Sequence, residues 1–208
     1  MTNLDYDIVV IGGGGSGLVA AVRAAELSGK KVIVLEKAKR PGGGALFAST
    51  TRTFQSKWQE EKGIEDRTAA YMRKVMDDTY WRLDPELVSK CIRGTGEFFD
   101  WFCEKSPESA DLFKPGYYVF DTPGVDQEGP VFGVQNNGTG RLVVETMVKL
   151  CEKYGITLKT DCRATDVETK DGRISAVIAK EKDEILHISC NTLILSSGSW
   201  ICNKDIVN

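Results

Sequence analysis

The feature that most constrains the fold is a glycine-rich segment near the N-terminus, between an apolar run and a helical pattern. Gly12, Gly14 and Gly17 have the G-x-G-x-x-G spacing, and Glu36 ends a second apolar run nineteen positions after Gly17. This order of strand, glycine turn, helix and strand predicts a parallel βαβ unit of Rossmann type. Because the flanking elements are all present, the motif is more specific than an isolated glycine turn.

Each member of the motif has a physical task in binding a dinucleotide. Gly12 permits the tight turn out of the strand, Gly14 lets the backbone approach a pyrophosphate, and Gly17 lets the helix pack closely on the strand. The helix N-terminus supplies N–H groups and the positive end of the helix dipole. A ribose hydroxyl can donate a hydrogen bond to the carboxylate of Glu36. The sequence therefore predicts a dinucleotide site.

The basic segment at residues 37–40 has two interpretations. It could clamp the 2′-phosphate of NADP, but Glu36 would repel that phosphate. We therefore interpret the segment as a solvated loop whose charges steer phosphates.

Composition excludes several kinds of partner. The 208 residues include 27 basic and 30 acidic ones, and the net charge of −3 suggests neither nucleic acid nor an anionic membrane as a partner. The N-terminus lacks the basic and apolar regions of a signal peptide, and no window of eighteen apolar residues predicts a membrane span. A cytoplasmic location is expected.

The cysteines and the histidine do not predict a metal or redox centre. The six cysteines are scattered without a C-x-x-C pair, which argues against zinc, an iron–sulfur cluster or a redox disulfide. Reduced, mostly buried thiols are expected. His187, the one histidine, lies in an alternating segment and is expected to be a surface or edge side chain rather than a catalytic base.

Residues 54–138 predict a mainly helical excursion from the βαβ unit. Asp66 is expected to cap a helix that runs to about Asp78, and Asp84-Pro85 to begin a second helix, since Pro is favoured at the first helical position. Gly94 and Gly96 are expected to bend or interrupt that second helix. Short strands are expected at residues 117–120 and 131–135.

The C-terminal part predicts a return to the sheet. A helix over 140–154 and a strand over 156–159 continue the parallel pattern. Three alternating segments then predict an antiparallel meander, because Asp171-Gly172 is a strong hairpin turn. These segments are residues 164–170, 173–180 and 185–190, and a further strand is expected at 192–195. The predicted class is α/β: a Rossmann-like domain of glutathione-reductase type, with a parallel sheet and a three-stranded antiparallel meander.

Over nearly its whole length, the chain resembles the FAD-binding domain of the flavoproteins that include fumarate reductase, succinate dehydrogenase and the 3-ketosteroid dehydrogenases. Besides the glycine motif, the similarity rests on short segments in the same order. These are residues 34–37, 41–43, 84–87, 138–140, 162–167, 171–173 and 193–198. The resemblance implies that the cofactor is FAD.

The family's cofactor contacts are carried over position by position. The resemblance implies that Gly12, Gly14, Gly15, Ser16 and Gly17 hold the pyrophosphate, that Glu36 holds the adenosine ribose, and that Lys37 lies at the edge of the adenine. It also implies that Gly43, Gly44 and Ala45 lie beside the inner part of the flavin, that the backbone at Ala164 meets the adenine, and that Ser197 and Gly198 pass close to the dinucleotide. The FAD would be non-covalent, because the histidine that succinate dehydrogenases use for attachment has no counterpart.

The chain also departs from the family pattern. Gly44 and Ala45 stand where the family often has Asn and Ser or Thr, so two side-chain hydrogen bonds to the flavin are missing. The closing Ala-Thr-Gly-Gly of the family is here Ser-Ser-Gly-Ser, residues 196–199. Relatives continue beyond the position of Asn208 into a substrate-capping domain with the proton-donating arginine and the carboxylate clamp.

We therefore expect residues 1–208 to be an incomplete FAD-binding domain without catalytic residues of its own. The complete enzyme would move a hydride between the flavin and a C–C bond adjacent to a carbonyl or carboxylate of a small-molecule substrate. Arg52 and Arg141 are interpreted as surface or phosphate-steering arginines. The alternatives are a non-enzymatic FAD-binding or interaction module, half of a split enzyme completed by a partner chain, and an NAD(P)-only dehydrogenase, against which the meander argues.

Overall fold

The computed structural model describes residues 1–48, 53–110, 113–118, 127–132 and 139–199. The chain divides into two compact units. The first, here called the sheet unit, consists of residues 1–47 and the chain from residue 140 onward. The second, the helical unit, consists of residues 48–139.

The sheet unit contains two four-stranded sheets. Its elements are β1 (Thr2–Asp5), β2 (Ile8–Ile11), α1 (Gly15–Ser28), β3 (Val32–Leu35), α6 (Thr139–Lys153), β6 (Thr157–Lys159), β7 (Cys162–Lys170), β8 (Arg173–Glu181), β9 (Glu184–Ser189) and β10 (Thr192–Leu195). The first sheet is parallel, with the order β10-β2-β3-β6. The second has the order β1-β9-β8-β7, with antiparallel pairing within the meander. The predicted fold class is confirmed.

Apolar side chains from both sheets form one core. The strands β2 and β3 are almost fully buried, as expected for parallel strands covered on both faces. Members of this core are Val9, Ile33, Leu35, Cys162, Val177, Ala179, Leu186, Ile188 and Cys190. The packing therefore holds the carboxyl end of β3 beside the first residues of β7.

The helical unit contains α2 (Lys57–Glu61), α3 (Thr68–Asp78), α4 (Pro85–Lys105), α5 (Pro107–Ala110), β4 (Phe113–Tyr118) and β5 (Gln127–Phe132). The helix α4 begins at Pro85 as predicted, and Asp84 caps it, since its carboxylate accepts from the backbone N–H groups of Glu86 and Leu87. The two predicted strands overlap β4 and β5, although residues 119–120 and 133–135 lie outside the described residues.

The predicted interruption of the second helix is wrong. The helix α4 runs without a break through Gly94 and Gly96 to Lys105. A Cβ at position 96 would lie 2.3 Å from the carbonyl oxygen of Phe54, whereas one at position 94 would meet nothing within 4 Å. Gly96 thus allows close approach of another backbone segment, which a propensity argument does not detect.

No helix in the described part of the chain is both long and apolar enough to cross a membrane.

Candidate dinucleotide-binding site

Two glycines of the motif are required by backbone contacts within the protein. Gly12 has a φ of +103°, and a Cβ there would lie 2.3 Å from the carbonyl oxygen of Ser196. A Cβ on Gly17 would lie 1.9 Å from the carbonyl oxygen of Gly12. The turn that joins β2 to α1 therefore packs too tightly for side chains at either position.

Gly14 is different, because the protein leaves space around it. It is the N-cap residue of α1, with an extended backbone at φ −73° and ψ 179°. A Cβ at this position would meet no atom closer than the carbonyl oxygen of Gly42, at 3.9 Å. The residue type is therefore not dictated by neighbouring protein atoms, which is the condition for close approach of a ligand.

The N-terminus of α1 is suited to an anion. No side chain caps it, and its first turn has no acidic residue. The N–H groups of Gly15, Ser16 and Gly17 cannot find acceptors within the helix, because these are its first three residues. The positive end of the helix dipole adds to the attraction for a negative group.

The carboxylate of Glu36 is buried and held by the backbone. Its side chain follows β3, and the residue is only 8% exposed. One oxygen accepts from the N–H of Gly13 at 2.8 Å, and the other accepts from the N–H of Ala38 at 2.8 Å. Each carboxylate oxygen can accept a second hydrogen bond, so Glu36 retains capacity for a ribose hydroxyl.

The loop after β3 docks onto the glycine turn. The N–H of Gly42 donates to the carbonyl oxygen of Gly13 at 2.7 Å, and Gly42 forms a parallel bridge with Gly14. A short 3₁₀ helix, Gly43–Phe47, follows. A Cβ on Gly43 would lie 3.5 Å from the Cα of Gly14, and one on Gly15 would lie 2.9 Å from the Cβ of Ala45.

Gly44 and Gly198 differ from the other predicted site residues. A Cβ on either would meet nothing within 4 Å among the described residues. Gly198 has a φ of +85° and is exposed, like Ser197 beside it. The structure places both glycines at surface positions, Gly44 in the docked loop and Gly198 just after β10.

A cavity of about 200 Å³ brings predicted residues from four different segments together. Its lining consists of Ile11, Gly12, Leu35, Glu36, Lys37, Cys162, Arg163, Ala164 and Ser197. The volume is below the roughly 300–1,000 Å³ of pockets that enclose whole drug-sized ligands. It suits one part of an extended dinucleotide, such as a nucleoside.

Backbone hydrogen bonds fix the first residues of β7 at this cavity. The N–H of Cys162 donates to the carbonyl oxygen of Glu36 at 2.9 Å, and the N–H of Asp161 donates to that of Ala38 at 3.0 Å. A β-bulge follows Ala164, where the pairing with β8 shifts register. These contacts explain how a meander strand, more than a hundred residues later in sequence, reaches the end of β3.

Sequence reasoning missed three residues at this site. Gly13 and Gly42 supply the backbone bonds that join the glycine turn to Glu36 and to the docked loop. Their signal was present in the runs of consecutive glycines, but the motif treats position 13 as variable. Arg163 lines the cavity; it lies in the segment 162–167 that resembles the family, but no cofactor contact was assigned to it.

Other candidate residues do not form a second reactive centre. The ring of His187 lies 3.0 Å from the carboxylate of Glu168, on the meander. Arg141 is exposed and donates to Glu145 at 2.7 Å, which raises the pKa of its guanidinium. Arg52 lies outside the described residues. Within the described ranges no group of His, Cys, Asp and Glu could hold a metal ion.

The thiols are mostly buried, as expected. Cys151, Cys162 and Cys190 are buried and Cys91 is exposed, all as free thiols, whereas Cys202 lies outside the described residues. Burial raises the pKa of Cys103 to about 11 and that of Cys151 to about 12.

The chain matches the model of a known protein family. A family model described as an FAD binding domain matches residues 7–202. Among curated proteins, the chain is 22% identical to NADH:fumarate oxidoreductase of Klebsiella pneumoniae, over 97% of this chain and 21% of that protein. It is 26% identical to a cytochrome-type fumarate reductase of Shewanella frigidimarina, over 97% of this chain and 34% of that protein. The chain therefore spans between about a fifth and a third of these relatives.

Solved structures show the same fold. A flavocytochrome c3 fumarate reductase in an open conformation superposes with a TM-score of 0.77 at 18% identity, over 97% of this chain and 35% of that one. A 3-ketosteroid-Δ4-(5α)-dehydrogenase from Rhodococcus jostii superposes with a TM-score of 0.75 at 20% identity, over 96% of this chain and 47% of that one.

Proposed function

The chain belongs to the FAD binding domain family, and on that premise we propose that it is the cofactor-binding part of a fumarate-reductase-like oxidoreductase. The complete protein would transfer a hydride between FAD and a C–C bond adjacent to a carbonyl or carboxylate. The redox chemistry is that of the flavin, whereas the protein binds and orients the cofactor. The observation that carries the proposal is the cavity that joins Gly12, Glu36, Lys37, Ala164 and Ser197 beside the N-terminus of α1.

The residues present fit the pyrophosphate of FAD. The open space at Gly14 is a cradle that a Cβ would partly fill, and the uncapped first turn of α1 offers N–H donors. In this proposal Gly12, Gly14, Gly15, Ser16 and Gly17 form the pyrophosphate site.

The cavity fits the adenosine part. Glu36 would accept from the ribose, Lys37 and Ala164 would face the adenine, and Ser197 would close the cavity from the end of β10. On the flavin side, Gly43, Gly44 and Ala45 would lie beside the isoalloxazine, with Gly198 close to the dinucleotide. The attachment would be non-covalent, as His187 is paired with Glu168 on the meander.

The alanine variant of Gly14 gives the sharpest test of this proposal. Its backbone angles are accessible to any residue and its Cβ has room in the protein, so Gly14→Ala should fold with unchanged stability. The added methyl would stand where the pyrophosphate approaches. We expect wild-type protein to retain FAD through desalting and the variant to bind it at least tenfold more weakly, measured by titration of flavin fluorescence.

A matched control distinguishes ligand exclusion from damage to the fold. Gly94→Ala adds the same methyl in open space on α4, in the helical unit, and should bind FAD like the wild type. If the wild type retains no flavin, or if Gly14→Ala binds FAD as tightly as Gly94→Ala, the proposed pyrophosphate site is wrong.

The second candidate is a module or split-enzyme half that binds FAD without turnover by itself. It is favoured by Gly44 and Ala45, which offer no side-chain hydrogen bond to a flavin. Assays of fumarate-dependent oxidation of a reduced dye separate the two, because turnover by the isolated chain would reject the module. Stronger thermal stabilisation by NAD than by FAD would instead favour an NAD(P)-only dehydrogenase.

A further inference from the structure

We infer that Arg163 binds the adenosine half of the cofactor, with its guanidinium plane against the adenine ring. This inference rests on the proposed function, because it assigns a residue to the same cavity. Arg163 is the second residue of β7 and lines that cavity together with Lys37 and Ala164. The glycine motif does not include it, and the cofactor contacts carried over from the family name its neighbour Ala164 instead.

The position of Arg163 is set by the backbone around it. The residue before it, Cys162, is fully buried and is bonded through its N–H to the carbonyl oxygen of Glu36 at 2.9 Å. The residue after it, Ala164, precedes the β-bulge in β7. Arg163 itself stays in regular register, paired with Lys180, and the shift begins only after Ala164. The strand therefore presents Arg163 at the rim of the cavity and not elsewhere on the meander.

Within the described residues, the strand neighbour that Arg163 faces is basic. In the pairing of β7 with β8 it lies directly opposite Lys180, and like charges at paired positions are destabilising. Its side chain has no ion pair or hydrogen bond within the described ranges. The one carboxylate in the cavity lining, Glu36, accepts from the N–H groups of Gly13 and Ala38.

A planar, electron-rich ligand could stack against the guanidinium group of Arg163. The cavity wall carries two basic side chains, Lys37 and Arg163, against one carboxylate, and its other members are apolar or small. An arginine guanidinium is weakly hydrated and stacks on aromatic faces, which a lysine ammonium does not do in the same way. An adenine ring between the apolar wall and Arg163 would satisfy both the shape and the charge.

The experiment compares FAD and ADP binding by three variants. Arg163→Gln should weaken both ligands by a similar factor of about three to ten, the range expected for loss of a cation–π contact. Arg163→Lys should restore less than half of this loss on a logarithmic scale, because the charge returns but the plane does not. Arg173→Gln, an exposed arginine at the opposite end of the same β7–β8 hairpin, should bind both ligands like the wild type.

Each outcome bears on the inference separately from the proposed function. Equal affinity of wild type and Arg163→Gln for FAD and ADP would overturn it, as would full recovery in Arg163→Lys, which would reduce the role to charge alone. Apo-protein melting temperatures of the variants must match the wild type for the affinities to be compared, and removal of the Arg163–Lys180 repulsion makes a loss of stability unexpected. If the wild type itself binds no FAD, the proposed function fails and not merely the role of Arg163.

Discussion

At the scale of single residues, Glu36 serves the fold as well as the proposed ligand. Its two oxygens accept from the N–H groups of Gly13 and Ala38, so it holds the glycine turn and the following loop in place. A Cβ at position 13 would lie 3.0 Å from the Cβ of Glu36, so a side chain there would be tightly packed against the acid. The acid at the end of β3 thus organises the site before any cofactor is bound.

The first prediction is that Glu36→Gln lowers the stability of the cofactor-free protein. Glutamine has one acceptor oxygen, so its amide group would face one of the two backbone donors and leave a buried N–H unsatisfied. We expect a loss of about 1–3 kcal/mol in the free energy of unfolding, measured by urea denaturation. Glu97→Gln makes the same chemical change on an exposed face of α4 and should stay within about 0.5 kcal/mol of the wild type. Equal midpoints for Glu36→Gln and wild type would contradict the structural role.

The sequence predicted Glu36 but not its bonds to the backbone. The motif identifies Glu36 because it places an acidic residue at the end of the second strand, about twenty residues after the glycines. The bonds to Gly13 and Ala38 depend on the side-chain rotamer and on the folded loop, which spacing alone does not specify. Arg163 was not predicted for a related reason, since only the backbone hydrogen bond between Cys162 in β7 and Glu36 after β3 brings it to the cavity.

At the scale of elements, the two glycines of α4 have the same helix propensity but different packing environments. Gly94 has open space where a Cβ would stand, whereas at position 96 a Cβ would meet the carbonyl oxygens of Phe54 and Gln55 at 2.3 and 2.6 Å. Both lie inside a continuous helix.

We predict opposite effects on stability for the two alanine substitutions in α4. Gly94→Ala should stabilise the protein by about 0.5–1 kcal/mol through the lower backbone entropy of the unfolded chain. Gly96→Ala should destabilise it by about 1–3 kcal/mol, because a backbone neighbour cannot move aside cheaply. Thermal unfolding of both variants checks this, and a raised melting temperature for Gly96→Ala would be the contradicting result.

The start of α3 gives a prediction about pH. Burial raises the pKa of Asp66, but hydrogen bonds from the hydroxyl and N–H of Thr68 and from Gln55, with the charge of Arg93, outweigh it and lower the pKa below its ordinary value. A lowered pKa in the folded state means that the stabilisation is present above the unfolded value of about 3.9 and is lost as the pH falls through the folded value.

Asp66→Asn should therefore be less stable than the wild type at pH 6–7, and this difference should shrink as the pH is lowered below about 4. Urea midpoints measured across that range test the direction. A difference that stays constant from pH 7 to 3 would show that the charge of Asp66 contributes nothing. The effect should be modest, since the carboxylate is largely exposed.

Most elements follow from local sequence patterns, whereas the exceptions depend on contacts with distant segments. Alternation predicted the meander strands, and Asp84-Pro85 predicted the start of α4, because both signals are local. The strand β1 was not expected, since its sequence has one inward-facing apolar residue, Leu4, and it is a strand only by parallel pairing with β9. Asp66 is not the N-cap residue of α3, which is Arg67, but its carboxylate accepts from the N–H of Thr68, the first residue of that helix.

At the scale of the whole molecule, the described cysteines are distributed over both units. Cys91 and Cys103 belong to α4 in the helical unit, whereas Cys151, Cys162 and Cys190 belong to the sheet unit. Cys162 is fully buried in the cavity wall. Alkylation of each thiol therefore reports on the opening of a different part of the molecule.

The last prediction is that FAD slows the labelling of Cys162 selectively. The buried thiol of Cys162 can be alkylated only when this part of the protein opens. If opening expels the cofactor, FAD lowers the population of the open state by a factor of 1 + [FAD]/Kd. At FAD concentrations near 100 times Kd, we expect labelling of Cys162 by iodoacetamide to slow by up to about 100-fold, while the exposed Cys91 reacts at an unchanged rate. Mass spectrometry of peptides at timed quenches resolves each site. Equal slowing at Cys91 and Cys162 would show that FAD acts on the whole chain. An unchanged labelling rate at Cys162 would contradict FAD binding in this cavity.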